Sequence, residues 1–287
     1  MPATSSSRPT YIGIGAQKCA STWMHRILAE HPEVAVPEIK EIDFFSYRYD
    51  RGYQWYERHF CDAGSARARG EISPSYFAEP AVPERVARYM PEARILLSLR
   101  DPVERALSNH RHEVRAGHLS GPDFSFETGL KNNPMYVQQG LYATHLVNWL
   151  RHFPSERILV LLMEDVESNP KAASNMIYRF LGVDGSFVPA GLTTRFNHSF
   201  ATRWAPLAGV KDAIYGVTRM RGLRWLWQAV ARTGLRSLYR GINNVPSSAV
   251  IPPPREETMR QLRQQFEPEI RGLETMIGRS LATWLKQ

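Results

Sequence analysis

Three stretches of the chain are nearly unbroken apolar runs, and each hands over to a segment with helical periodicity. Tyr11-Ile12-Gly13-Ile14 ends at Gly15, and residues 21–31 then place Trp23, Ile27 and Leu28 at helical spacing before Pro32 stops them. Ile95-Leu96-Leu97-Ser98-Leu99 has the continuous apolar character of a strand covered on both faces of a parallel sheet. Asp101, Pro102 and Glu104 follow at once: a helix cap, a first helical residue and the partner that closes a capping box. The run from Arg157 to Met163 reads as a third buried strand, and Asn169-Pro170 then starts a helix reaching about Leu181. Strands alternating with helices predict an α/β fold whose central parallel sheet is flanked by helices through right-handed crossovers.

Elsewhere the pattern changes. Residues 1–9 are small and polar without an apolar period, so they predict a flexible N-terminal tail ahead of a single domain over residues 10–287. Residues 211–240 carry Lys211 and six arginines against the single acid Asp212, with Trp225, Trp227 and Tyr239 among them. Residues 205–245 are read as a basic helical insertion. Three roles fit it: a helix pair packed on the domain with its arginines in water, a surface lying on an anionic membrane, or a wall of an acceptor cleft. Val250-Ile251-Pro252-Pro253-Pro254 breaks the chain before a last helix with Leu262, Phe266, Ile270, Leu273 and Ile277 on one stripe. No internal repeat is visible.

Composition narrows the field. At 287 residues with 43% hydrophobic content, the chain has enough material for one large core. It lacks the roughly 18 consecutive apolar residues of a membrane span, and its start has no apolar signal core, so a cytoplasmic protein is expected. Cys19 and Cys61 are too few for a disulfide framework or a cysteine-based metal site, and both are expected as thiols. The formal charge of +8 favours anionic partners without choosing among a nucleotide, a nucleic acid, an acidic sugar and a membrane.

Two clusters carry candidate chemistry. Gly13-Ile14-Gly15-Ala16-Gln17-Lys18-Cys19-Ala20-Ser21-Thr22-Trp23 takes a strand through a glycine-bearing loop into a helix N-terminus, a junction suited to phosphate. Backbone N–H groups, the Ser21 and Thr22 hydroxyls and the Lys18 charge are the donors. It is not a Walker A loop, because Ala20 precedes Ser21 and Lys18 lies three positions ahead of it. A solvated loop with a surface lysine fits the same residues. The second cluster puts Arg100 at the carboxyl end of a strand and Ser108 about two turns into the next helix, at the edge where open α/β sheets bind ligands. A guanidinium and a hydroxyl suit a phosphate monoester. Arg100 paired with Asp101 or Glu104 fits equally.

Together these clusters resemble the sulfotransferases that use 3′-phosphoadenosine 5′-phosphosulfate (PAPS), and among them the heparan-sulfate type and its bacterial relatives. The resemblance extends through Lys40-Glu41-Ile42-Asp43-Phe44-Phe45, Gly70-Glu71-Ile72-Ser73-Pro74-Ser75-Tyr76-Phe77 and Gly140-Leu141-Tyr142, and to the closing residues 277–285. It covers residues 10–182 well, 255–287 loosely and 200–250 hardly at all. It implies a P-loop-like three-layer fold and a sulfuryl transfer from PAPS to a hydroxyl or amine, leaving 3′-phosphoadenosine 5′-phosphate (PAP). It further implies that Gln17, Lys18, Cys19, Ala20, Ser21, Thr22 and Trp23 surround the 5′-phosphosulfate, with Lys18 at the bridging oxygen. Arg100 and Ser108 would hold the 3′-phosphate, and Glu41 would be the general base. No metal is implied.

The sequence also departs from the family. Ile72 stands where heparan-type enzymes carry a lysine, so a basic contact near the acceptor is missing. The disulfide-closed loop over adenosine has no counterpart, and residues 197–204, with Arg203 as a phosphate contact, are the candidate substitute. Glu41 beside Lys40 is also compatible with a surface ion pair. His25 and His31 are read as structural. The expected acceptor is a carbohydrate, glycolipid or secondary metabolite, with peripheral contact to an anionic membrane open and no nucleic-acid partner. Two other functions compete. A small-molecule P-loop kinase would need Glu164-Asp165 for magnesium. A non-catalytic basic module on membrane or nucleic acid would leave Lys18, Glu41, Arg100 and Ser108 without a role.

Overall fold

The computed structural model describes residues 8–61, 64–119, 124–192, 200–202, 244–246 and 251–286. The chain divides into two compact units, Met1–Ala106, Met135–Phe196 and Met259–Gln287 in one, Leu107–Pro134 and Asn197–Thr258 in the other. Arg203 and residues 205–243 lie outside the described residues.

The first unit is built on five parallel strands: β1 (Tyr11–Gly15), β2 (Val34–Ala35), β3 (Ala68–Ile72), β4 (Arg94–Leu99) and β5 (Ile158–Leu162). They lie in the order β2-β3-β1-β4-β5. The chain leaves β1 toward one side of the sheet and returns to β4 on the other, so the topological switch lies between β1 and β4, where such sheets open a crevice. Side chains alternate across the sheet. Tyr11, Leu96 and Leu161 join a cluster with Trp23, Met24, Ile27 and Leu28 of α1 (Ser21–Glu30) and Ala173, Ile177, Tyr178 and Leu181 of α10 (Pro170–Leu181). Burying each large apolar side chain of α1 contributes about 1.5–3 kcal/mol, an upper figure for a compact unfolded chain. Ile12, Ile14, Ile95 and Leu97 on the alternate positions are wholly buried as well. That double burial is what the continuous apolar runs encoded.

The remaining helices of this unit include α2 (Phe44–Tyr47), α3 (Tyr53–Glu57), α4 (Val82–Tyr89) and the start of α5 (Pro102–Ala116). Later come α7 (Met135–Gln138), α8 (Tyr142–Leu150), α9 (Met163–Ser168) and most of α11 (Glu256–Ile277). Local signals account for several ends. The Asn169 side chain accepts from the Ala172 N–H at 3.0 Å, Pro170 opens α10, and Gly182 closes it at φ 75. Asp101 accepts from the Val103 and Glu104 N–H groups at 2.7 and 3.2 Å. Glu104 does not close the expected box; it lies 3.7 Å from Arg100 instead. The third strand also differs from its sequence reading. β5 is an edge strand, so Ile158, Leu159 and Val160 are only half-buried, and the apolar run ends in a short helix, α9, before α10 begins.

Leu262, Phe266, Ile270 and Leu273 of α11 are buried, and Gly140 admits the Phe266 ring so closely that a β-carbon there would meet it at 2.6 Å. In the second unit α6 (Phe126–Asn132) is capped by Ser125, which accepts from the Thr128 N–H at 3.3 Å. Strands β6 (Phe200–Thr202) and β7 (Asn244–Pro246) pair antiparallel there. No helix among the described residues is long and apolar enough to cross a membrane.

Candidate active site

The loop between β1 and α1 is held in an unusual backbone path. Gly15 has φ 140, and a β-carbon there would sit 3.0 Å from the Pro74 carbonyl oxygen. Lys18 and Ala20 have φ 67 and 63, left-handed values that cost a non-glycine residue about 1–2 kcal/mol apiece. The sheet holds the loop from below. The Ser98 hydroxyl on β4 donates to the carbonyls of Gly15, at 3.3 Å, and of Cys19, and the Ala16 N–H donates to the Ser98 carbonyl at 2.7 Å.

The result is a helix N-terminus open to an anion. Ala20 stands at the cap position of α1 without a side-chain bond, and the first turn holds no acidic residue. Among the described residues, the first N–H groups of the helix and the positive end of its dipole therefore have no side-chain cap and no acid of their own turn to satisfy them. Lys18 and the Ser21 and Thr22 side chains are half-buried around it. Two residues of the expected set have only their backbone to offer a ligand there. The Cys19 side chain is buried beneath the loop, 3.9 Å from the Tyr142 hydroxyl, and burial raises its thiol to about 11. Trp23 turns into the core, where its indole N–H donates to the Leu192 carbonyl at 3.1 Å.

Arg100 follows β4 directly, one strand from β1 and on the same carboxyl edge. Its side chain is 20% exposed and reaches Glu104 at 3.7 Å, a long contact that leaves donors of the guanidinium fork for a ligand. Asp101 pairs with Arg263 of α11 at 3.2 Å rather than with Arg100. Ser108 lies further along α5, in the second unit.

Glu41 comes to the loop through its neighbour. Lys40 Nζ donates to Glu41 Oε1 at 2.5 Å and to Thr22 Oγ1 at 3.2 Å, so the ion pair allowed by the sequence is formed and also fastened to α1. Their side chains keep 29% and 43% exposure, which leaves Glu41 accessible. Glu41 and Asp43 both have left-handed backbones, φ 61 and 54. His25 joins this group: burial, and then the Lys40 charge, lower its pKa, while Glu41 acts in the opposite direction. His31 is structural, with Nε2 on the Asp184 carbonyl at 3.0 Å and Nδ1 accepting from the Glu33 N–H.

Sequence reasoning missed Glu71. It is 1% exposed on β3, and the hydroxyls of Ser73 and Tyr76 each donate to it at 2.6 Å. Burial raises its pKa to about 7 against those bonds. The sequence signals were its place in the family-like stretch from Gly70 to Phe77 and an acid between Gly70 and Ile72, neither of which assigned it a role. The acidic pair needed by a kinase is committed elsewhere. Glu164 accepts from the Trp284 indole at 2.6 Å, and Asp165 takes a bidentate bond from Arg279 at 2.7 Å.

A family model described as a sulfotransferase domain matches residues 9–199. Human bifunctional heparan sulfate N-deacetylase/N-sulfotransferase 2 is 29% identical over 236 residues, covering 76% of this chain and 26% of that protein. Human heparan sulfate glucosamine 3-O-sulfotransferase 3B1 is 30% identical over 189 residues, 62% of this chain and 47% of that protein. The chain thus spans less than half the length of either relative. The crystal structure of a sulfotransferase from Alicyclobacillus acidocaldarius superposes with a TM-score of 0.70 at 25% identity, covering 97% of this chain and 99% of that one.

Proposed function

The chain belongs to the sulfotransferase domain family, and on that premise we propose that it transfers a sulfuryl group from PAPS to a hydroxyl or amine of a carbohydrate, glycolipid or secondary metabolite. The observation that carries this reading is the uncapped N-terminus of α1, with Lys18 in its loop and Arg100 on the neighbouring strand end, all on one edge of the sheet. The donor set fits the cofactor: backbone N–H groups and hydroxyls suit a 5′-phosphosulfate, and a guanidinium suits a second phosphate. When bound, PAPS supplies an activated sulfuryl group and leaves as PAP.

The residues divide the work. Ser21, Thr22 and the backbone of Gln17, Cys19, Ala20 and Trp23 hold the 5′-phosphate end. Lys18 stabilises the negative charge that grows on the leaving oxygen, an interaction stronger in the transition state than before it. Arg100 grips the 3′-phosphate, and Ser108 is its sequence-assigned companion. Glu41 takes the acceptor proton, with Lys40 holding the carboxylate against the start of α1. The acidic pair that a kinase would require is instead bonded to Trp284 and Arg279, which weighs against phosphoryl transfer.

Recognition of heparan sulfate by the two relatives supports a glycan acceptor, while Ile72 in place of a basic residue favours a less acidic one. The test is transfer of label from sulfur-labelled PAPS to three acceptors: N-deacetylated heparosan, a neutral glycolipid and a simple phenol. Labelled glycan or glycolipid is expected. Label on the phenol alone would overturn the carbohydrate assignment, and label on none would overturn the proposed acceptor range.

A further inference from the structure

We propose that Glu71 is a positioning residue for the Glu41 segment, its buried carboxylate gathering the backbone of residues 42–45 directly and through the hydroxyls of Ser73 and Tyr76. The proposal rests on the reading of Glu41 as the base. The Ile42 backbone amide faces Glu71 and favours its ionised form. The Asp43 N–H donates to Ser73 Oγ at 2.9 Å, and the Ser73 hydroxyl donates to Glu71 Oε2 at 2.6 Å. The Phe45 N–H donates to Tyr76 Oη at 3.4 Å, and Tyr76 donates to Glu71 Oε1 at 2.6 Å. Three amides that flank the candidate base therefore converge on one carboxylate. Ser75 adds a bond to Asp43 Oδ1 at 2.6 Å.

The segment needs such an anchor. Glu41 and Asp43 sit at positive φ without being glycine, so their local preference opposes the observed path and outside contacts must impose it. Lys40 holds the segment from the α1 side and Glu71 from the β3 side. A buried carboxylate with no ion-pair cation among the described residues is a costly choice for mere packing. What it offers is several acceptor sites to neighbours that all donate, which an amide does not match.

Protonation exposes the role. A proton on Glu71 removes the charge toward which the Ser73 and Tyr76 hydroxyls donate, and a hydroxyl that turns to accept that proton no longer donates to it, so the charge-assisted contacts weaken. The groups facing Glu71 are Asp43, which raises its pKa, and the phenols of Tyr11, Tyr56 and Tyr76. Asp43 in turn faces Glu41, Arg48 and Lys40. With burial the largest cause, the Glu71 pKa lies near 7, against an ordinary 4.5. The contribution of Glu71 to global stability is therefore present below the ordinary value and lost as pH rises toward 7. Local order of residues 42–45 runs the other way, firm above 7 and loosened below. A purely structural role would not produce that opposition.

Hydrogen–deuterium exchange on the full chain tests this, following a peptide across residues 40–47 from about pH 5.5 to 8.5 with intrinsic rates divided out. In the unmodified protein, protection is expected to fall about tenfold as pH drops through 7, the loss of one charge-assisted bond. In Glu71→Gln it should be low at every pH, with PAP affinity within about threefold of the parent and sulfuryl transfer from PAPS to the acceptor down at least about tenfold. Flat protection in the parent, or parental protection or turnover in Glu71→Gln, overturns the proposal. If Glu71→Gln does not fold, Tyr76→Phe decides: weaker protection at Phe45 is expected, and unchanged protection overturns it. A parent that binds no PAP would instead sink the cofactor reading and leave the exchange result to speak for the anchor alone.

Discussion

Lys40 donates from its ammonium to the Thr22 hydroxyl at 3.2 Å, across 18 positions of sequence. The same ammonium lies 2.5 Å from Glu41, so one cation ties the candidate base to the helix that begins the anion loop. An exposed ion pair contributes roughly 0–1 kcal/mol and would be dispensable. As a tether it is not. Lys40→Met is expected to lower turnover about tenfold or more while the melting temperature moves by only a few degrees, measured by transfer of labelled sulfuryl from PAPS to the acceptor and by thermal denaturation. Turnover equal to the parent would reduce the contact to a surface pair.

Lys18→Ala removes the charge assigned to the leaving oxygen. Loss of one such donor costs on the order of 100–1000-fold in kcat. PAP binding should fall much less, because the bisphosphate keeps the helix N-terminus and Arg100. Equal losses in kcat and in PAP affinity would make Lys18 a binding residue only.

Glu41→Gln keeps the shape of the side chain and an acceptor for Lys40 but cannot take a proton. Turnover is expected to drop by about 100-fold or more, and the acidic limb of the pH–rate profile should vanish with the carboxylate. A retained acidic limb would transfer the role to another group, of which His25 is the nearest candidate on electrostatic grounds.

Arg100→Ala is expected to weaken PAP binding by about 10–100-fold, the loss of a charge-assisted contact to phosphate. Binding of 5′-AMP should hardly change, since it has no 3′-phosphate. Calorimetry on both ligands separates the cases, and equal weakening would remove Arg100 from the 3′-phosphate.

Parts of this architecture were legible in the sequence for identifiable reasons. β1 and β4 announce themselves because both faces of a central strand are buried, and α10 because Asn169, Pro170 and Gly182 mark its ends. β3 gave no such signal. Its Arg69 and Glu71 read as polar positions, and Glu71 tolerates burial only because Ser73 and Tyr76 donate to it and the Ile42 amide faces it after folding. β5 misled in the opposite sense, since an edge strand can be as apolar as a central one. The Glu164-Asp165 pair looked available for a metal until Trp284 and Arg279, 120 and 114 positions away, proved to be its partners. Lys18 and Arg100 could be singled out because the loop and the strand end are each local features, whereas Glu41 stood out only through the family resemblance. The bridge from Lys40 to Thr22 was not, because it depends on where residues 36–43 run once folded.

The most direct test of the central claim is calorimetric titration of the purified chain with PAP, with ATP and 5′-AMP as controls. Micromolar binding of PAP with neither control competing is the predicted result. No binding of PAP, or a preference for ATP, would contradict a PAPS-dependent sulfotransferase.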